Sequence, residues 1–89
     1  MNEIEFERNI DNVLAQSEST GIWVHCGWSM SIQRAKAVEY VKKYNTDPTS
    51  GFFEHDRKVI LSHNGGKITF SLQEAEAVIA LIKTAYPEA

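Results

Sequence analysis

The 89-residue length suits one small domain that buries about 60–65% of its unfolded surface, and it leaves no room for a second hydrophobic core. A hydrophobic fraction of 43% and a charged fraction of 24% exclude extensive disorder, so we predict a single compact α+β domain over residues 1–89. The formal net charge of −3 disfavours a protein whose main task is to coat nucleic acid.

Residues 2–17 have the pattern of an amphipathic helix. Asn2, followed three residues later by Glu5, can act as a capping pair. Apolar residues then recur at helical spacing, at Phe6, Ile10, Val13 and Leu14. We therefore predict a first helix that ends near Ser17.

Residues 22–28 alternate in the manner of a strand rich in β-branched and aromatic residues. One face carries Ile22, Val24, Cys26 and Trp28, and the other carries Trp23 and His25. Gly27 interrupts the strand, and Ser29 or Ser31 can cap a second helix. The apolar stripe of that helix consists of Ala37, Tyr40, Val41 and Tyr44.

Residues 45–57 contain a loop followed by an ambiguous segment. Residues 45–51 are typical of a loop, because Pro48 lacks an amide donor and its polar neighbours compete for backbone hydrogen bonds. Residues 52–57, Phe-Phe-Glu-His-Asp-Arg, have two interpretations: they extend the next strand backwards, or they form a separate aromatic anchor for the loop.

The C-terminal third predicts a β-hairpin that runs into a capped helix. Asn64-Gly65 tolerates the positive φ angles of a type I′ turn. This turn fixes three cross-strand pairs: His63 with Gly66, Leu61 with Ile68, and Val59 with Phe70. Ser71 and Glu74 then predict a capping box. The apolar stripe of this last helix is Leu72, Ala75, Ile79, Ile82 and Tyr86, before Pro87.

The predicted element order is α-β-α-β-β-α. The first strand, the second helix and the second strand should form a right-handed β-α-β crossover, which makes the two strands parallel. The C-terminal β-hairpin adds an antiparallel strand, giving a mixed three-stranded sheet followed by a helix. Helices two and three should cover the face lined by Val24, Cys26, Val59, Leu61, Ile68 and Phe70. The position of helix one stays open, between a two-layer and a three-layer domain.

Cys26 follows the first predicted strand, in the run Val24-His25-Cys26-Gly27. This run resembles the start of the phosphate-binding loop of the cysteine-dependent tyrosine phosphatases. That family requires an arginine after five intervening residues, but this position holds Ile32, and Arg34 comes two residues later. The resemblance covers four residues, and no site residue is carried over from it.

A thiol enzyme at Cys26 is one functional alternative. If the first two strands are parallel neighbours, Cys26 and His63 lie at the same edge of the sheet, near a helix N-terminus that would lower the thiol pKa. No third, orienting residue is evident. Metal binding has no support either, since the sequence contains no C-x-x-C or H-x₃-H pair. We predict no metal, no cofactor and no catalytic residues.

The remaining candidate site is the second face of the predicted sheet. Alternation places six candidate binding residues on it: Trp23, His25, Lys58, Ile60, Lys67 and Thr69. Such a strip can take an extended peptide or a partner protein, pair with itself in a homodimer, or stack single-stranded bases. If helix one lies over the strip, these residues are core instead, because four apolar helical residues must be buried somewhere.

We therefore interpret the chain as a small non-catalytic binding protein that occupies the surface of a partner protein. Inhibitors, antitoxins and phage-type accessory proteins of this size act in that way. The alternatives are a single-stranded nucleic-acid-binding module, which the acidic composition disfavours, and the thiol enzyme. The lone cysteine and the acidic residues after Met1 are typical of neither a disulfide-bonded nor a secreted protein, so we expect a cytoplasmic location without a membrane span.

Overall fold

Residues 2–89, the part of the chain that this computed structural model describes, form two antiparallel sheets and two helices. Sheet one has four strands in sequential order: β1 (Glu3–Phe6), β2 (Val13–Ser17), β3 (Gly21–His25) and β4 (Ser29–Gln33). Helix α1 (Arg34–Lys42) follows. Sheet two consists of β5 (Phe52–His55), β6 (Lys58–His63) and β7 (Gly66–Phe70), and helix α2 (Leu72–Ala85) comes last. The predicted α+β class is confirmed.

The predicted first helix is wrong, because residues 3–17 form the antiparallel hairpin of β1 and β2. A period of two sets the burial, so that Val13, Ala15 and Ser17 are buried while Leu14 and Gln16 lie on the other side of the strand. Ile10, which the helical pattern assigns to the core, lies in the connecting turn and is 92% exposed.

Residues 2–89 form neither the predicted parallel crossover nor the mixed three-stranded sheet. Gly27 takes a φ of +79° and helps to turn the chain back after β3. Residues 29–33 therefore form β4, antiparallel to β3, before α1 begins at Arg34. The two strands that the sequence predicts as parallel neighbours, β3 and β6, consequently belong to different sheets. The observed order is β-β-β-β-α-β-β-β-α.

Helix α1 is shorter than the predicted second helix. Gln33 occupies its N-cap position, in place of Ser29 or Ser31, and its side chain makes no capping hydrogen bond. The predicted apolar stripe is otherwise observed, with Ala37, Tyr40 and Val41 buried. Tyr44 lies beyond the helix, where its ring packs edge-on against Phe52 at a centroid distance of 6.1 Å.

Residues 52–57 form β5 and a two-residue turn, which differs from both sequence interpretations. Asp56 and Arg57 have φ angles of 53° and 64°, as a type I′ turn requires, and β5 pairs antiparallel with β6. Phe52 is buried opposite Leu61. Phe53 points to the other side of the strand and is half-buried.

The C-terminal hairpin and helix follow the prediction. Asn64 and Gly65 take φ angles of 49° and 85°, and the strands pair in the predicted register. Ser71 Oγ accepts a hydrogen bond from the Glu74 amide at 3.2 Å, and Glu74 Oε1 accepts one from the Ser71 amide at 2.9 Å. These two bonds complete the capping box at the start of α2.

Both sheets bury one face in a common core beneath the helices. Helix α1 packs on β3 and β4, and α2 packs on β1, β2, β6 and β7. The end of sheet one that holds the β1–β2 and β3–β4 turns contacts β7. There Phe6 meets Phe70 edge-on at 5.9 Å, and the Trp28 ring lies so close to Gly66 that a Cβ would be 2.8 Å from it. Within residues 2–89 neither helix is long and apolar enough to cross a membrane.

Candidate functional site

The sheet-one outer face is the side of sheet one that points away from the core. Strand alternation places on it Glu3, Glu5, Leu14, Gln16, Trp23, His25, Ser29, Ser31 and Gln33. Trp23 lies in the middle, with Gln16 opposite it on β2 and Ser31 opposite it on β4. Leu14 pairs with His25 on the next row. Trp23 and Leu14 are both half-buried, so the face has a small apolar centre within a polar border.

A chain of hydrogen bonds crosses the sheet-one outer face from β1 to β4. The Gln16 side-chain amide donates to Glu3 Oε2 at 3.0 Å, and Gln16 Oε1 lies 3.1 Å from His25 Nε2. Since that oxygen can only accept, His25 donates through Nε2. His25 Nδ1 lies 2.7 Å from Ser29 Oγ. The imidazole is thus held on both sides.

The Trp23 ring stacks on this fixed imidazole. The two ring centroids are 5.8 Å apart and the planes differ by 4°. Because the His25 ring is held by two hydrogen bonds, the stack restricts the orientation of the Trp23 indole as well. Trp23 is therefore an ordered aromatic group on a sheet face.

The sheet-two outer face is the corresponding side of sheet two. Strand alternation places on it Phe53, His55, Lys58, Ile60, Ser62, Lys67 and Thr69. Ile60 is central, with Phe53 opposite it on β5 and Thr69 opposite it on β7. Lys58 and Lys67 are exposed near the two ends. This face also has a small apolar centre, with cations around it.

The six predicted binding residues do not form one strip. Trp23 and His25 lie together on the sheet-one outer face, and Lys58, Ile60, Lys67 and Thr69 lie together on the sheet-two outer face. The single strip depended on pairing between β3 and β6, which does not occur. Sequence reasoning also missed Leu14, which it assigned to a helix, and Phe53, whose strand it did not resolve.

Cys26 lacks the surroundings that the thiol hypothesis requires. It is half-buried in the turn after β3, and β4 separates it from the N-terminus of α1. Burial raises the pKa of its thiol, and the nearby Asp11 carboxylate raises the pKa further. The expected lowering of this pKa by a helix N-terminus therefore has no structural basis.

His63 is engaged elsewhere, with its Nδ1 2.6 Å from the Tyr40 hydroxyl. Burial lowers the pKa of the His63 imidazole, and Lys36 adds to that shift. His63 lines a groove with Trp28 and Asn64, whereas Cys26 lines a different groove with Asp11 and Lys67. The two residues are not arranged as a nucleophile and its base.

Two further findings concern ligands and relatives. Among residues 2–89, no group of three or more His, Cys, Asp or Glu side chains is placed to hold a metal ion. No protein-family model, curated protein or solved structure matches this chain. The two outer faces are therefore the candidate functional surfaces of this protein.

Proposed function

We propose that this protein is a small non-catalytic binding protein that occupies the surface of a partner protein through its sheet-one outer face. The observation that carries the proposal is the ordered Trp23 ring, half-buried on a sheet face that neither helix covers. Tryptophan is enriched among the few residues that dominate protein–protein affinity. The polar side chains around Trp23 match the hydrogen-bonding border of such interfaces.

The hydrogen-bond chain supports the same proposal on energetic grounds. A side chain that is free in solution loses rotamer entropy on binding, at a cost of about 0.5–1.5 kcal/mol. The Trp23 ring already stacks on an imidazole that Gln16 and Ser29 hold. Part of that entropy is therefore lost on folding, before any partner arrives.

A capture experiment with a matched control tests the proposal. Trp23→Ala removes the aromatic anchor, and Leu72→Ala removes an apolar side chain that is 43% exposed on α2, away from the sheet-one outer face. We expect a protein captured from source-cell lysate by wild type and by Leu72→Ala to be lost with Trp23→Ala. The loss corresponds to about 2 kcal/mol or more of binding free energy. Equal capture by Trp23→Ala, with wild-type thermal stability, would contradict the proposal.

A second candidate function is binding of single-stranded nucleic acid by the sheet-two outer face. The observation that favours it is the shared position of Phe53, Lys58 and Lys67 on a face that carries no Asp or Glu. An aromatic ring can stack a base while lysines contact phosphates. Oligonucleotide affinity should then be measurable at low salt and should fall steeply as salt is added. The Lys58→Ala/Lys67→Ala double variant should lack this salt dependence. A flat titration would remove this candidate.

A further inference from the structure

The two outer faces carry charges of opposite sign. Glu3 and Glu5 are exposed on the sheet-one outer face, where strand alternation places no Lys or Arg. Lys58 and Lys67 are exposed on the sheet-two outer face, where alternation places no Asp or Glu. One molecule therefore presents both an acidic and a basic sheet surface.

The centres of the two faces also match in chemistry. The sheet-one outer face has Trp23 and Leu14, and the sheet-two outer face has Phe53 and Ile60, with all four side chains half-buried. Packing the apolar centre of one face against the apolar centre of the other buries apolar area without burying an unpaired charge. The two faces are thus opposite in charge, and both have an apolar centre.

We propose that the sheet-one outer face binds a second copy of this chain through the sheet-two outer face of that copy, with Glu3 and Glu5 opposite Lys58 and Lys67. The inference rests on the proposed function, since it identifies the partner of the same surface. Contact between two like faces is disfavoured because it opposes charges of one sign. Contact between unlike faces places charges of opposite sign together.

The size of the faces sets the strength of this contact. Strands lie about 4.8 Å apart and rise about 3.4 Å per residue, so the three-stranded face spans about 14 by 17 Å. That footprint is well below the roughly 800 Å² per partner of a standard stable interface. The association is therefore weak, and it weakens further as added salt screens the exposed charges.

Sedimentation equilibrium at low salt and submillimolar chain concentration tests the proposal. The weight-average mass of wild type should rise with concentration. Trp23→Asp disables only the sheet-one outer face, and Ile60→Asp disables only the sheet-two outer face. Each variant alone should associate about 30-fold or more weakly than wild type. A mixture of the two should regain association, because each copy still has one intact face.

Charge variants make the test independent of any folding defect in the core-adjacent positions. Glu5→Lys and Lys58→Glu each place like charges across the contact, so each alone should associate less than wild type. Mixing them restores attraction in two ways. The two unchanged faces bring Glu5 opposite Lys58, and the two charge-reversed faces also carry opposite signs. Circular dichroism spectra and thermal melts of each variant serve as the control that it keeps the wild-type fold.

The outcomes separate this inference from the proposed function. A wild-type protein that stays monomeric at all concentrations overturns the inference. Loss of association in only one of Trp23→Asp and Ile60→Asp, without regain on mixing, overturns it as well, because that result indicates contact between like faces. A monomer whose capture of another protein still requires Trp23 leaves the proposed function standing and overturns only the identity of the partner.

Discussion

Gly51 and Gly65 both take positive φ angles, of 103° and 85°, but only Gly51 packs directly against a side chain. A Cβ on Gly51 would lie 2.5 Å from Cγ of the Tyr40 ring, whereas a Cβ on Gly65 would meet no atom within 4 Å. Gly65→Ala should cost about 1 kcal/mol from backbone strain alone. Gly51→Ala should cost about 1–3 kcal/mol more, because the buried Tyr40 ring must shift.

Urea denaturation of the two glycine variants isolates the clash, since the strain of a positive φ is common to both. Gly65→Asn serves as a control, because asparagine tolerates the left-handed region and should cost less than alanine. Equal destabilisation by Gly51→Ala and Gly65→Ala would show that the Tyr40 ring does not pack on Gly51.

Glu74 links the turn after β1 to the start of α2. Arg8 donates to its two carboxylate oxygens at 2.6 and 2.9 Å, and this pairing holds the pKa of Glu74 below its usual value, with burial opposing the shift. Because the folded pKa is the lower one, the ionised form stabilises the fold above the unfolded-state pKa of about 4.3. That contribution is lost as the pH falls through the folded pKa.

The acid dependence of unfolding should therefore differ between wild type and Glu74→Gln. From pH 7 to pH 3 the unfolding free energy of wild type should fall by more than that of Glu74→Gln, measured by urea denaturation at each pH. Glu76→Gln, an exposed change on the same helix, should follow wild type. Parallel acid profiles for wild type and Glu74→Gln would contradict the role of the Arg8 pair.

At the scale of elements, the capping box fixes where α2 begins. Ser71→Ala removes the side-chain acceptor of the Glu74 amide and should lower the unfolding free energy by about 1 kcal/mol. Ser31→Ala, on the exposed side of β4, should change stability by less than about 0.5 kcal/mol. Equal stability of the two variants in chemical denaturation would argue against the cap.

The C-terminal third, from β6 to α2, is predictable because its signals are local. The Asn64-Gly65 turn sets the register of β6 and β7, and the Ser71 and Glu74 pair sets the start of α2 within four residues. Asp56-Arg57 is a turn of the same type without a glycine, so β5 was not recognised. The decisive difference lies at the second turn position, since glycine (Gly65) takes a positive φ at little cost and arginine (Arg57) does not.

The N-terminal hairpin was mispredicted because its apolar residues fit two periods. Phe6, Ile10 and Val13 satisfy helical spacing, while Ile4 and Phe6 alternate with glutamates in β1 as a half-buried strand requires. Glutamate is a weak strand former, and this favours the helical interpretation. Burial against α2 and β7 decides in favour of the strands.

The position of Ile10 distinguishes the two structures in solution. If Ile10 belonged to the core stripe of a helix, Ile10→Asn would lower the unfolding free energy by about 2 kcal/mol or more. In the observed turn the side chain is 92% exposed, so we expect a change within about 0.5 kcal/mol of wild type by urea denaturation. Val13→Ala, a truncation in buried β2, should destabilise by more and serves as the matched core control.

At the scale of the whole molecule, the sequence predicts which residues of β3, β6 and β7 share a strand face and that β6 pairs with β7, but not that β3 and β6 lie in different sheets. Alternation correctly grouped Trp23 with His25, and Ile60 with Thr69. Whether these two groups lie on one sheet depends on long-range strand pairing, which no turn or cap encodes. The replacement of the first helix by two strands leaves one core beneath both helices and two outer faces that no helix covers.

The accessibility of Trp23 tests this arrangement most directly. Trp28→Phe leaves Trp23 as the sole tryptophan, and acrylamide is the suitable quencher because Glu3 and Glu5 on the same face repel iodide. At a concentration where the chain is monomeric, we predict efficient quenching of Trp23 fluorescence. Trp23 emission that is blue-shifted and protected from acrylamide in a confirmed monomer would show that the sheet-one outer face is covered, and would contradict the proposed binding surface.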